Sequence, residues 1–155
     1  MVKANIIEVV PIRGGSKPAI KKLRQLIKAV KNTRRPNKQV SVWLLRWVNE
    51  NFKSQGGKVG GWKPFKLGGR RLRSGGIDTS AKLLQDTGRL RASFNRFSSR
   101  KEAGVGSPLN YSLTHERGLP HKNLPARRMI PLDTDKDVER GIIKIYDAYI
   151  QRALK

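Results

Sequence analysis

Residues 38–53 read KQVSVWLLRWVNENFK and carry a clear helical pattern. Apolar side chains recur at intervals of three and four residues, which puts them on one face of an α-helix. This apolar set consists of Val40, Leu44, Leu45, Trp47, Val48 and Phe52. Trp43 falls beside that face, and either a subunit contact or half-buried packing would explain it. We therefore predict a helix over residues 38–53.

Another helix is predicted upstream, from about residue 16 to residue 32, because Ser16 can cap it and Pro18 is tolerated in a first turn. Its apolar stripe consists of Ile20, Leu23, Ile27 and Val30. A basic connector, KNTRRPNK, follows, and Pro36 is expected to break the helix. Before this helix, residues 1–15 are predicted to form an extended arm or strand.

Residues 54–77 are predicted to form a long, flexible, Gly-rich basic loop. Eight of the fifteen glycines lie there as four pairs, and the stretch has no acidic residue. Paired glycines make an ordered backbone costly, and loops of this length are usually functional or disordered. Trp62, Pro64 and Phe65 are expected to anchor it. Its cations are Lys58, Lys63, Lys66, Arg70, Arg71 and Arg73.

The second half is predicted to contain a small antiparallel sheet. Residues 92–99 and 102–107 fit two strands joined by a polar turn. A short helix carrying Leu83 and Leu84 is expected before them, and a turn at residues 86–88. An edge strand is expected over residues 127–130.

Two helical segments complete the prediction. Residues 111–117 fit a helical turn that Gly118 stops. The last helix is expected to be capped by Thr134, with acids in its first turns and Arg152 near its end, as the helix dipole favours. Its packing stripe consists of Val138, Ile142, Ile145 and Tyr149. The predicted fold is thus a single α+β domain over residues 1–155, with two N-terminal helices, the basic loop, the sheet and a C-terminal helix.

The net charge of +23 indicates a polyanionic partner. Residues 1–77 hold 19 basic and 2 acidic side chains, so the hypothesis applies mainly to them. Nucleic acid is the leading candidate for this partner, and an anionic membrane surface is a weaker one. A charged protein interface remains an open alternative. With no run of 18 apolar residues, and with an N-terminal apolar run that is short and contains Glu8, neither a membrane span nor a signal peptide is expected.

No catalytic constellation emerges from the sequence. The chain has no Cys and two His. His115 and Glu116 are adjacent, so they lack the spacing of a metalloprotease helix, and His121 lies in a Pro-rich stretch. The remaining acids are segregated from the basic half, which argues against a metal-dependent nuclease. We expect no enzyme, no cofactor and no metal site.

Four segments, in order, resemble the phage virion morphogenesis family, the tail-completion or neck proteins of Mu-like tailed phages. The first runs from Phe52 through the Gly-rich stretch to Gly61-Trp62-Lys63-Pro64. The second is LLQDTGRL at residues 83–90 with Ser93-Phe94. The third joins Val105-Gly106 to NYS and HERG at residues 110–118, and the fourth is LPARRMI at residues 124–130. Ser112 replaces the family's usual Ala, and the first 35 residues and the strong basic charge have no match in these motifs.

The resemblance implies a structural protein of the virion neck or tail, made in the host cytoplasm. It implies α+β subunits that form a homo-oligomeric ring around the DNA path and join tail to head. Expected partners are other phage neck and tail proteins and, non-specifically, genomic DNA, with no membrane. By this likeness Trp62 pins the loop, residues 87–90 turn into the sheet, and residues 125–127 set an edge strand and a subunit contact. The residues assigned to assembly are Trp62, Gly88, Leu90, Tyr111, Gly118, Pro125 and Arg127.

Alternatives remain open at this point. Internal packing would explain the same motif residues. A sequence-neutral nucleic-acid-binding protein would explain the charge, because phosphate contacts carry no sequence information. An enzyme is disfavoured by the missing site.

Overall fold

The computed structural model describes residues 17–155, so the arm predicted over residues 1–15 and the cap at Ser16 lie outside the described residues. Within this part, helices and two small antiparallel sheets give an α+β fold, which confirms the predicted class. The helices are α1 (Lys17–Lys31), α2 (Arg34–Lys53), α3 (Arg89–Ala92), α4 (Asn110–Arg117) and α5 (Lys136–Leu154). The strands are β1 (Arg70–Arg71), β2 (Ile77–Asp78), β3 (Asn95–Ser98) and β4 (Ala103–Gly106), and single 3-10 turns span Gly57–Val59 and Pro120–Lys122.

Helix α2 starts four residues earlier than predicted. The connector after α1 shrinks to Asn32 and Thr33, and Pro36 lies buried in the first turn of α2. The prediction of Pro36 as a breaker was wrong, because the first turn of a helix leaves its N–H groups unbonded and Pro loses nothing there.

The core is built on α2. Both its apolar face and the facing segments are almost fully buried, and α2 packs against β3, β4 and α5. The buried apolar set is Val40, Leu44, Trp47, Val48, Phe52, Trp62, Leu83, Leu90, Phe94, Met129 and Val138. Burying each large side chain stabilises the fold by roughly 1.5–3 kcal/mol relative to exposure. Trp43 is half-buried and packs closely over Gly141 of α5, so the packing alternative describes it.

Buried polar side chains fix the start of α2. Asn37 is 4% exposed and donates from Nδ2 to the Ser99 carbonyl at 2.9 Å. The hydroxyl of Tyr146 on α5 donates to its Oδ1. Because the Asn37 side chain is buried, its two bonds set the position of α5 and of the β3–β4 turn against α2.

The C-terminal end of α2 is closed by a Schellman motif. The Gly56 N–H donates to the Asn51 carbonyl at 2.8 Å, and the Gln55 N–H donates to the Phe52 carbonyl at 3.3 Å. Gln55 holds the left-handed position, at φ 53°, that Gly usually fills. Gly56 is also left-handed, and any Cβ there would collide with Trp62. The motif turns the chain back so that Trp62 covers Phe52.

The side chain of Asn51 extends this closure to a distant segment. It is fully buried, donates from Nδ2 to the Arg128 carbonyl at 3.0 Å and accepts from the Lys58 N–H at 3.3 Å. Gln55 accepts the Leu83 N–H at 2.6 Å, and Gln85 donates to the Phe52 carbonyl at 2.9 Å. The end of α2 therefore bonds three separate segments of the chain, at residues 58, 83 and 128.

The predicted apolar stripe of α1 is only partly buried within the subunit. Ala29 is buried, whereas Ile20, Leu23 and Val30 are 40%, 44% and 63% exposed. Helix α1 packs on α5 at the edge of the fold. An apolar stripe thus remains on the surface of a strongly basic helix.

Two predicted elements are absent from the described residues. The short helix near Leu83 was wrong: Asp78 instead accepts the Ser80 N–H and hydroxyl, and Leu84 is left-handed at φ 59°. The edge strand over residues 127–130 was also wrong. Its backbone groups bond side chains and one carbonyl of other segments, and no neighbouring strand pairs with it.

Two other predictions needed adjustment. Residues 54–77 were expected to lack secondary structure, but they hold a 3-10 turn and strand β1, and Ile77 begins strand β2, which pairs antiparallel with β1. Asp135, not Thr134, is the N-cap of α5, and its carboxylate accepts the Leu132 N–H and pairs with Arg128 at 2.9 Å. The strands β3 and β4, with helix α4 stopped at Gly118, follow the prediction within a few residues.

We expect Asn51→Ala to lower the free energy of unfolding by about 1–3 kcal/mol, the usual cost of leaving buried hydrogen-bonding groups without a partner. Urea denaturation measures it. Asn95→Ala is the matched control, because the Asn95 side chain is exposed and donates to the carbonyl of Ser93, two residues away. The control should change stability by no more than about 0.5 kcal/mol. Equal effects of both substitutions would contradict the anchoring role of Asn51.

Candidate functional site

A basic cleft of about 850 Å³ opens between four stretches of chain: residues 63–70, residues 82–90, helix α4 and residues 120–127. Its cations are Lys63, Lys66, Arg70, Lys82, Arg89, Arg117 and Arg127. Asp86 is the acid among its lining residues. Apolar side chains form most of the walls, namely Pro64, Phe65, Leu83, Leu84, Leu90, Pro120, Leu124 and Pro125. The cleft thus combines apolar walls with an excess of positive charge.

The cleft gathers residues that the sequence placed in two separate groups. Those that line it are Lys63, Lys66, Arg70, Gly88, Leu90, Tyr111, Pro125 and Arg127. The candidates outside it are Lys58, Arg71, Arg73, Trp62 and Gly118. Each of the four family-like segments contributes a lining residue, which makes this cleft the common location of the motif.

Trp62 and Gly118 support the cleft from behind. Trp62 is buried, meets Phe52 edge-on at 5.2 Å and donates from Nε1 to the Arg128 carbonyl at 2.8 Å. Gly118 ends α4 at φ 74°, and a Cβ there would lie 2.6 Å from the Ala126 nitrogen. Both residues hold the wall formed by residues 124–128 close to the rest of the fold.

Arg127 lies at the floor of the cleft and is 7% exposed. Its Nε and Nη2 donate to the Lys63 carbonyl at 3.2 and 3.1 Å, and its backbone N–H donates to the His115 carbonyl at 2.8 Å. Burial lowers the pKa of its guanidinium. Within residues 17–155 no carboxylate pairs with it. Arg127 therefore ties the loop to α4 while its charge stays uncompensated.

The loop cations divide into paired and unpaired groups. Lys58 pairs with Glu50 at 3.0 Å, and Arg70 pairs with Asp78 at 3.7 Å and with Asp86. In the described part of the chain, the other four have no carboxylate partner and are exposed: Lys63, Lys66, Arg71 and Arg73. The unpaired four are the cations available to an outside partner.

His115 and Glu116 point to different partners. His115 lines the cleft, and its ring meets Tyr111 edge-on at 6.2 Å. Burial, and then the charge of Arg127, lower the pKa of His115. Glu116 instead accepts the Met129 N–H at 2.6 Å. No group of three or more potential metal ligands occurs among residues 17–155.

Some residues of the cleft were missed by sequence reasoning. Lys82, Arg89 and Arg117 line it, although they lie outside the Gly-rich loop that drew attention to charge. Arg89 and Arg117 lie inside the family-like segments at residues 83–90 and 110–118, and Lys82 directly precedes the first of these, so the motifs were the available signal. Among the described residues, no helix is both long and apolar enough to cross a bilayer.

The pKa of Glu116 predicts a pH dependence of stability. Burial raises that pKa above its usual 4.5, against the lowering by the Met129 and Ile130 N–H groups and Arg128. The folded state then holds the proton more tightly than the unfolded chain, so stability from this group falls as pH rises above 4.5. We expect the unfolding free energy of the wild type, relative to Glu116→Gln, to decrease between pH 4 and 7. A difference that is constant or grows with pH would contradict it.

Comparison with known proteins identifies a family but no individual relative. No curated protein and no solved structure matches the chain. A model of the phage virion morphogenesis family matches residues 16–151. This exceeds the residues 52–132 that carried the resemblance and takes in residues 16–35, which the motifs had left unmatched. Because the match spans nearly the whole chain, the protein belongs to the phage virion morphogenesis family and has a structural role in virion assembly.

Proposed function

We propose that the protein is a neck or tail-completion component whose copies form a ring around the DNA path and join the tail to the head. The exposed apolar stripe of α1 carries this proposal. Ile20, Leu23 and Val30 lie on the surface, and exposed lysines flank them on the same helix. An apolar strip rimmed by polar side chains is typical of a protein contact surface. In a ring, each subunit repeats that contact with its neighbour.

The unpaired loop cations support a DNA-facing surface in the same ring. Lys63, Lys66, Arg71 and Arg73 are exposed and have no acidic partner in the described residues. Symmetry would repeat these charges around a lumen. Contacts with phosphates alone suit a conduit that must accept any genome sequence.

A sequence-neutral nucleic-acid-binding protein remains the second candidate. It is favoured by the six exposed cations of α1, which have no carboxylate partner among residues 17–155. They are Lys17, Lys21, Lys22, Arg24, Lys28 and Lys31. This candidate needs neither a ring nor phage partners, so assembly assays separate it from the first.

For the ring, we expect electron micrographs of the purified protein, alone and with tails, to show closed rings. The double substitution Ile20→Ser with Leu23→Ser should abolish them, because it removes the apolar contact. Leu113→Ser with Leu132→Ser is the matched control, since both leucines are exposed on other surfaces. Light scattering gives the mass of each form. A wild type that stays monomeric at all concentrations and on tails would refute the ring.

For the loop, we expect replacement of Lys63, Lys66, Arg71 and Arg73 by Gln to leave the fold intact, because exposed substitutions usually change stability by no more than about 0.5 kcal/mol. Assembled particles should lose packaged DNA. The slope of log affinity for duplex DNA against log salt should fall by roughly 0.9 for each lost phosphate contact.

The matched control removes four exposed cations elsewhere, by replacing Arg96, Lys101, Lys122 and Arg140 with Gln. It should retain DNA and infectivity. If the loop variant packages and infects as well as this control, the loop is only a linker.

A further inference from the structure

The floor of the basic cleft holds polar groups whose hydrogen-bonding capacity is unused. Within residues 17–155, the buried side-chain nitrogen and oxygen atoms that lack any hydrogen-bond partner are Arg70 Nε and His115 Nδ1. Both residues line the same cleft. Buried polar atoms are nearly always bonded in native proteins, so two such atoms on residues of one cavity are available to bond a ligand.

The charge at this floor is also uncompensated. The guanidinium of Arg127 is buried, yet its side-chain bonds go to the neutral carbonyl of Lys63 and to no carboxylate in the described chain. A buried cation without a counter-charge is costly, and an anion that reaches it removes that cost. Arg is well suited to bind a carboxylate through charge-assisted hydrogen bonds.

The walls select the kind of anion. Leu83 and Leu90 are buried along one wall, and Phe65 and Leu84 are half-buried beside them. Duplex phosphates lie on a rigid polar backbone, which can touch rim cations but offers nothing apolar for these walls. A carboxylate on a flexible side chain can reach Arg127, while apolar neighbours in its own chain contact the walls.

From this combination we infer that the cleft binds a peptide segment of another virion protein in which a carboxylate side chain is flanked by apolar residues. The carboxylate lies at Arg127 and His115, and the apolar neighbours contact Leu84 and Phe65. The rim cations Lys82 and Arg89 add attraction. That the partner is a virion protein rests on the proposed assembly role. The binding itself requires neither a ring nor DNA.

A synthetic fluorescent peptide of alternating Leu and Glu is the probe, and the same peptide with Gln in place of Glu is its control. We expect the Glu peptide to bind the full chain and the Gln peptide to bind about tenfold more weakly or worse. The ¹⁵N signal of the His115 ring should shift, because Nδ1 gains a partner. His121 lies outside the cleft lining and is exposed, so its signal is the internal control.

Paired variants place the binding in the cleft. Lys82→Gln with Arg89→Gln should weaken the Glu peptide about tenfold. Arg71→Gln with Arg73→Gln removes the same charge outside the cleft and should change binding less than twofold. Both pairs lie on exposed side chains, so folding is preserved and Arg127 itself is left in place.

Three results would overturn the inference. Equal binding of the Glu and Gln peptides would mean a purely apolar groove, and equal weakening by both variant pairs would mean long-range attraction alone. A short DNA duplex that shifts the His115 signal and displaces the peptide would assign the cleft to phosphate. Because the assay uses isolated protein, failed rings with intact peptide binding would refute the proposed function and leave the cleft standing.

Discussion

The last turn of α2 is the point on which the rest of the structure depends. A helix ends with unbonded carbonyls, and here Gln55, Gly56 and the side chain of Gln85 bond those of Asn51 and Phe52. The buried amide of Asn51 then fixes the backbone at Arg128. Because the same turn positions Trp62, both the loop wall and the 124–128 wall of the cleft are held from one place.

Local sequence patterns predicted the elements whose backbone hydrogen bonds are made within the element or with its direct neighbour in sequence. The spacing of apolar residues in α2 and α5, and the two short stretches joined by a polar turn at β3 and β4, predicted these elements to within a few residues. The failures lie where side chains from distant segments satisfy the backbone. Residues 127–130 were predicted to form an edge strand, but Asn51, Trp62 and Glu116 bond their backbone in place of a neighbouring strand.

The sequence predicted many of the residues that line the candidate site, but not that they lie together in one cleft. Motif likeness singled out Gly88, Leu90, Tyr111 and Arg127, and charge singled out the loop, as two unrelated sets. Their meeting in one cleft depends on tertiary contacts between segments 60 or more residues apart, such as that of Arg127 with Lys63, which no local pattern encodes. The structure likewise separates cations that pair internally from those left for partners.

The long-range hydrogen bond of Asn51 also determines when, during folding, the cleft can form. The bond from Asn51 to Arg128 spans 77 residues, so loop-closure entropy must be overcome before the cleft exists. During synthesis, α2 leaves the ribosome long before residues 124–128 do. A chain that ends before residues 124–128 contains α1 and α2 but has no cleft to offer. On the proposed role of the cleft, such an unfinished chain lacks the surface that binds its virion partner.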